Sequence, residues 1–233
     1  RYFAADMLGT LANRRHDDAA AADFTIQSVR AAEEYVRFNP SDMSAWEVWV
    51  RQLGILASLQ FERGDMARSL ATARSTVALA QDKRLPSSLN PMLTLTWNRI
   101  ARLERQLGHS AASEQAMQMT AQSNTENIAQ FPPNDPQREI FALSETGLLG
   151  RIQLIDGQPR AALASSSLVI KQLGQIKIPA NERNANNVRN NFLRNMYDIG
   201  SASALQLESY ALAESMARLW QKVTPDQRSM SGA

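Results

Sequence analysis

The stretch that decides the fold is residues 97–113, WNRIARLERQLGHSAAS. Its apolar residues recur at three- and four-residue steps as far as Leu107, which is the spacing of one helix face. Gly108 can then adopt the left-handed conformation that ends a helix, and Ser110 can cap the next one. The stretch therefore predicts two helices joined by a tight corner at Gly108.

The same pattern of an amphipathic stretch, a short break and an alanine-rich stretch recurs along the chain. The breaks are 44 to 51 residues apart, which is enough for two helices of roughly 17 to 22 residues and short connectors. A repeat of this length indicates stacked helical hairpins. The corners fall at His16-Asp17, Gly64-Asp65, Gly108-His109, Gly157-Gln158-Pro159 and, in a weaker copy, Glu208-Ser209.

Prolines mark the connectors between one hairpin and the next. Proline lacks the amide hydrogen that a helix interior needs, so a set of prolines in step with the repeat separates helices. Pro159 instead suits the first turn of a helix. The connectors contain Pro40, Pro86 and Pro91, the segment 131–136 (FPPNDP), Pro179 and Pro225.

These marks predict an all-α fold, a right-handed α-α superhelix of about five antiparallel helical hairpins. We expect a single domain over residues 1–227 and a flexible tail over 228–233. The predicted helices cover about 2–14, 17–37, 42–62, 65–82, 90–107, 110–130, 137–155, 159–174, 184–206 and 209–223.

In this pattern the chain resembles the tetratricopeptide repeat family, whose first helix carries Trp and Leu-Gly, whose second helix carries Ala, and whose repeat closes with Pro. Pro225 lies in the closing slot of the last copy. The first-helix slots match at Trp97 with Ile100-Ala101, at Leu149-Gly150 and at Leu8-Gly9, and the alanine slot holds Ala21, Ser69, Ser113, Ala162 and Ala213.

The repeat departs from the family in length, since the family period is about 34 residues. The family's second-helix aromatic is also missing, and we expect longer helices. The first-helix tyrosine is replaced by Ala12, Gln60, Glu104, Gln153 and Ala204.

Composition excludes several classes of protein. The 25 basic and 23 acidic residues give a formal charge of +2, so we expect no nucleic-acid partner. The absence of cysteine excludes disulfides and thiolate chemistry. No apolar run approaches the roughly 20 residues that span a bilayer. Because the sequence begins at Arg1, we expect a segment of a longer protein, either cytoplasmic or the soluble part of a membrane-anchored one.

The residues that catalysis would need are scarce. The only histidines, His16 and His109, both fall at corners, where a structural role is expected over metal or proton chemistry. Acidic pairs such as Asp17-Asp18 and Glu33-Glu34 are typical of helix starts and solvated faces. No motif for a metalloprotease, a serine hydrolase or a phosphate-binding loop occurs. We therefore expect no enzyme activity, no metal and no cofactor.

Residues ten, six and three places before each corner share one face of each first helix. The family resemblance implies that this face lines a concave groove that binds a peptide. Asparagine can bond a peptide backbone and arginine can grip carboxylates, with Gly54 and Gly147 leaving room. The alternative is a row of ordinary solvated side chains. The candidate groove residues are Arg51, Asn98, Arg102, Arg105 and Arg151.

A second candidate is the asparagine-rich segment 181–195, NERNANNVRNNFLRN. Asparagine is a poor residue for a helix interior, so its density at a helix start needs an explanation. One explanation is a long connector with a capped entry. The other is a polar pad of Asn187, Asn191 and Arg194, which lie at helical steps of four and three.

The sequence thus predicts a scaffold that binds a protein or peptide partner. The alternative is a regulatory or sensor module of a larger kinase, transcription regulator or membrane protein. A homodimer through the end helix that carries Trp220 is a further alternative, since a terminal hairpin lacks a neighbour on one side.

Overall fold

The computed structural model describes residues 18–83, 85–179 and 181–223, and every regular element within these ranges is helical. The all-α class is therefore confirmed. A 3₁₀ turn at Ser87–Leu89 precedes α4. The helices are α1 Asp18–Phe38, α2 Met43–Glu62, α3 Met66–Asp82, α4 Asn90–Gln106, α5 Ser110–Ile128, α6 Pro136–Ala142, α7 Ser144–Ile155, α8 Pro159–Gln175, α9 Arg183–Gln206 and α10 Tyr210–Val223.

One predicted helix differs from the sequence expectation. The helix expected over 137–155 is interrupted at Leu143, whose amide donates to the Ile140 carbonyl three residues back at 3.1 Å. Such a bond tightens the turn locally, and it separates α6 from α7. The expected helix over 2–14, the corner at His16, Pro225 and the tail 228–233 lie outside the described residues.

The chain divides into two compact units, Arg1–Ser123 and Asn124–Ala233. In the first unit α1 packs on α2, α2 on α3 and α3 on α4, and in the second α7 packs on α8, α8 on α9 and α9 on α10. Within each unit these helices thus pack on their neighbours in sequence, as in a solenoid of helical hairpins. The buried core of the second unit contains Ile140, Ala162, Val169, Leu173, Ile176, Met196 and Ile199.

The four corners within the described residues share one geometry. Gly64, Gly108, Gly157 and Glu208 have φ angles of 77°, 81°, 70° and 57°, all in the left-handed region. At each corner the amide of the next residue donates to a carbonyl five residues back, for example His109 to Glu104 at 2.9 Å. This is the hydrogen bond of a Schellman cap, which satisfies the last carbonyls of a helix. The four predicted corners that lie within the described residues are confirmed.

The left-handed φ angles make a prediction about stability. Gly108→Ala is expected to lower the free energy of unfolding by about 1 kcal/mol, because an L side chain strains this conformation. Glu208→Gly should raise it by a similar amount, since it relieves the same strain. Urea unfolding of both variants checks this, and equal effects of one sign would contradict it.

Small residues close each hairpin near its corner. The residue five places after the corner is almost fully buried in all four copies, at 0% exposure for Ser69, Ser113 and Ala162 and 4% for Ala213. The Ser69 hydroxyl donates to the Ala57 carbonyl at 2.7 Å, and Ser113 donates to Ala101 at 2.8 Å. The small side chains therefore let two helices approach closely, as expected.

Candidate functional site

In the first unit, α4 places two arginines against α2. The guanidinium of Arg102 lies over the Phe61 ring, 4.8 Å from the ring centre. The Arg99 Nη2 donates to the Ser58 hydroxyl at 2.6 Å. Ser58 and Phe61 belong to the predicted face of α2, and Arg102 belongs to that of α4. We call Ser58, Phe61, Arg99 and Arg102 the α2/α4 face.

Arg99 was not predicted, because it lies nine places before the corner, and only the residues ten, six and three places before it were assigned to the face. Burial lowers the pKa of its guanidinium, and the nearby Glu62 carboxylate opposes that effect. The group still carries its charge at neutral pH, because arginine starts from a pKa far above that range. The face therefore holds two half-buried cations on one helix.

The other three predicted residues of the first unit are placed differently. Arg51 is exposed on α2 and Asn98 is half-buried on α4. The Arg105 Nη1 lies 4.0 Å from the Glu114 Oε1 of α5, and its side chain is 22% exposed. Among the four predicted residues of this unit, Arg102 is thus the one that lies over an aromatic ring, Phe61 of α2.

The space expected beside the two glycines is filled. A Cβ added at Gly54 would lie 2.6 Å from the Met92 Sδ, and one added at Gly147 would lie 2.9 Å from the Met196 Cε. Both methionines come from the first helix of the next hairpin. The expectation that these glycines leave room for a partner was wrong, because close helix packing uses the space.

In the second unit, Arg151 of α7 is paired with Asp198 of α9. Its Nη2 lies 2.5 Å from the Asp198 Oδ2, and the side chains are 19% and 57% exposed. Residue 151 lies six places before its corner and residue 198 lies ten places before the next. The predicted face is therefore tied across consecutive first helices by an ion pair.

The asparagine-rich segment divides into two parts. Asn186 donates to the carbonyls of Glu182 and Pro179, at 3.1 and 3.4 Å, so it ties the first turn of α9 to the connector before it. Further along, Arg194 donates to the Asn191 side chain, and Asn187 and Asn191 are exposed. The structure thus brings Asn191 and Arg194 together on one face of α9.

A buried carboxylate went unnoticed in the sequence. The Glu104 side chain is 1% exposed, and it is paired with Arg74 of α3 and with His109 at the corner, whose Nδ1 lies 2.9 Å from Oε2. Glu104 occupies the tyrosine slot of the resembled family. At the same slot, Gln153 accepts a bond from the Ser165 hydroxyl at 2.8 Å. The polar residues Glu104 and Gln153, in a slot that holds tyrosine in the family, were the sequence signal for these buried hydrogen bonds.

Within residues 18–83, 85–179 and 181–223, no three His, Asp or Glu side chains are close enough to hold a metal ion. Over the same ranges, no helix has the length and apolar character needed to cross a membrane. A scan against protein-family models finds no match to this chain. A search of curated proteins finds no relative. The observed architecture is that of an all-α helical-repeat protein.

Proposed function

We propose that this chain is a tetratricopeptide-like module that binds a peptide or protein partner along the α2/α4 face. The observation that carries the proposal is the pair of half-buried guanidiniums of Arg99 and Arg102, held by Ser58 and Phe61. The N–H groups of a guanidinium lie in its own plane, and in that plane it binds carboxylates with two parallel hydrogen bonds.

The likeness to tetratricopeptide repeats rests on the helical hairpins. Each corner ends its first helix with a left-handed residue, and a buried small residue follows five places later. Within each unit the two first helices lie next to one another, since α4 contacts α2 and α9 contacts α7. Two adjacent first helices offer a surface on which an extended chain can lie.

The charge of the α2/α4 face indicates the class of partner. Arg99 and Arg102 lie three residues apart on α4, and Glu62 is the acidic group that acts on Arg99. Two partly desolvated cations attract carboxylates more strongly than fully hydrated ones. We therefore propose a partner segment that carries Asp or Glu, bound without chemical conversion.

The test starts from peptides selected on the intact protein from a random library. Arg99→Gln with Arg102→Gln is expected to weaken the selected peptides about tenfold or more in fluorescence anisotropy. The matched control is Arg68→Gln on α3, whose side chain is 79% exposed and which should keep the wild-type affinity. Circular dichroism of each variant verifies that the helices remain folded.

Two results would contradict this proposal. One is a selection that enriches no peptide. The other is an equal affinity of the double variant and of Arg68→Gln for the enriched peptides, which would place the contact elsewhere on the protein.

A further inference from the structure

The helix α5 buries a row of polar residues on one of its faces. Thr120, Asn124 and Asn127 follow one another at steps of four and three, and each is at most 1% exposed. The Thr120 hydroxyl is satisfied, since it donates to the Ala116 carbonyl of the same helix at 2.8 Å. The two asparagines differ from Thr120, because part of their hydrogen-bonding capacity is unused.

Three enclosed atoms of these asparagines are unpaired. Neither the Oδ1 nor the Nδ2 of Asn127 has a hydrogen-bond partner among the described residues. The Asn124 Nδ2 donates to the Phe141 carbonyl of α6 at 3.0 Å, but its Oδ1 bonds no group in the part of the chain that the structure describes. Buried polar atoms are nearly always hydrogen-bonded, because an unpaired one loses its bonds to water without replacement. The three atoms therefore call for a partner.

Both asparagines face α6, inside the second unit. Asn124, Asn127 and Phe131 lie at steps of three and four, so they share one face of α5 and of the turns that follow it. Asn124 bonds the Phe141 carbonyl, and the rings of Phe131 and Phe141 stack with their centres 5.5 Å apart. Asn127 lies between these two contacts along the face, so its amide also points toward α6.

The break between α6 and α7 falls at the same place. Ser144, the first residue of α7, follows Phe141 by three residues, and its enclosed hydroxyl is unpaired within the described ranges. Helices kink or break where a side chain or a water bonds the backbone in place of the next turn. The Asn124 amide is such a side chain, since it bonds the carbonyl of Phe141 two residues before Leu143. The unpaired atoms thus gather where α5 meets this break.

The unpaired atoms match the bonding capacity of water. The Asn127 Nδ2 is a donor, the Oδ1 atoms of Asn124 and Asn127 are acceptors, and the Ser144 hydroxyl is both. A buried water makes about three hydrogen bonds, and proteins hold on the order of one buried water per 27 residues. Because the protein encloses these atoms, their partner has to be small, and water is the small molecule that donates and accepts at once.

From these observations we infer that the junction of α5 with the α6–α7 break is an internal water site. One or more ordered waters bond the Asn127 amide, the Asn124 Oδ1 and the Ser144 hydroxyl, and they join α5 to the start of α7. Together with the Asn124 amide, these waters account for a helix break that no glycine or proline marks. The site shares no residue with the α2/α4 face.

The number of long-lived waters tests this inference. Oxygen-17 relaxation dispersion of the solvent detects waters that stay inside a protein longer than the protein takes to rotate. Asn127→Leu keeps the branched shape of the side chain and removes both polar ends, so we expect it to lose at least one long-lived water relative to wild type. The matched control is Asn187→Leu on α9, where the asparagine is exposed and the number should stay unchanged. Circular dichroism verifies that both variants remain folded.

A crystal structure of the intact wild-type protein gives a second measurement that needs no variant. We expect electron density for a water within about 3.2 Å of the Asn127 amide and of a second unpaired atom, either the Asn124 Oδ1 or the Ser144 Oγ. This measurement decides the question even if Asn127→Leu does not fold.

Three outcomes would overturn the inference. The first is an equal number of long-lived waters in the wild type and in a folded Asn127→Leu variant. The second is a crystal structure in which protein groups bond both ends of the Asn127 amide, since no water is then needed. The third is a crystal structure in which no water density lies beside that amide.

Discussion

Leu173→Ala is expected to lower the free energy of unfolding by about 2–5 kcal/mol. Leu173 has 0% of its surface exposed and belongs to the core of the second unit, with Ile140, Val169 and Ile199. Removing three carbons there loses apolar burial and leaves a cavity that rigid neighbours fill only in part. Urea denaturation followed by circular dichroism measures the change.

The control for Leu173→Ala lies on the same helix. Leu168 of α8 is 49% exposed, so Leu168→Ala should change the free energy of unfolding by about 0.5 kcal/mol or less. A loss of equal size in both variants would show that helix propensity, and not the buried contact, accounts for the effect.

Arg74→Ala is expected to cost about 2–3 kcal/mol, because it removes a cationic partner from the buried Glu104 carboxylate. His109 alone then remains beside a carboxylate that is 1% exposed. The cost stays below that of a fully buried pair, since the Arg74 side chain is 57% exposed and partly screened by solvent.

A double variant isolates the charge at Glu104. Glu104→Gln in the Arg74→Ala background should recover part of the lost stability, because a neutral amide needs no cation. The matched control is Arg68→Ala on the same helix, whose ion pair with Asp65 is exposed and should contribute under about 1 kcal/mol. If Glu104→Gln adds its own full cost to that of Arg74→Ala, the two side chains are not coupled.

The arginines of the predicted face both join neighbouring helices and can present donors to a partner. Arg151 is paired with Asp198, and the Arg102 guanidinium lies over the Phe61 ring of the preceding first helix. Such contacts hold the guanidiniums in fixed directions, which lowers the entropy that a partner must remove on binding. Residues that join consecutive hairpins can therefore also present donors to a partner.

Local signals located most of the helices. Gly64, Gly108 and Gly157 mark corners because glycine adopts positive φ without strain, and the structure has them at 70° to 81°. Pro136 and Pro159 begin helices because the first turn needs no amide hydrogen. The break at Leu143 was missed, since no glycine or proline announces it.

The candidate site was predicted less completely than the helices. The helical period places Arg102 and Arg151 on one face of their helices, but it does not state which neighbouring side chain each one meets. Arg99 was missed for that reason, although it bonds Ser58 across 41 positions of the chain. Glu104 was missed because its partner Arg74 is 30 positions away.

The sequence by itself determined the helical hairpins, their corners and the small residues that close them, because these depend on φ angles and hydrogen bonds between residues near in the chain. Only the tertiary structure decided that methionines fill the space beside Gly54 and Gly147, and that Arg99 bonds Ser58. Those outcomes depend on which helix packs against which, and side-chain volume and charge across that contact are not written in a local pattern.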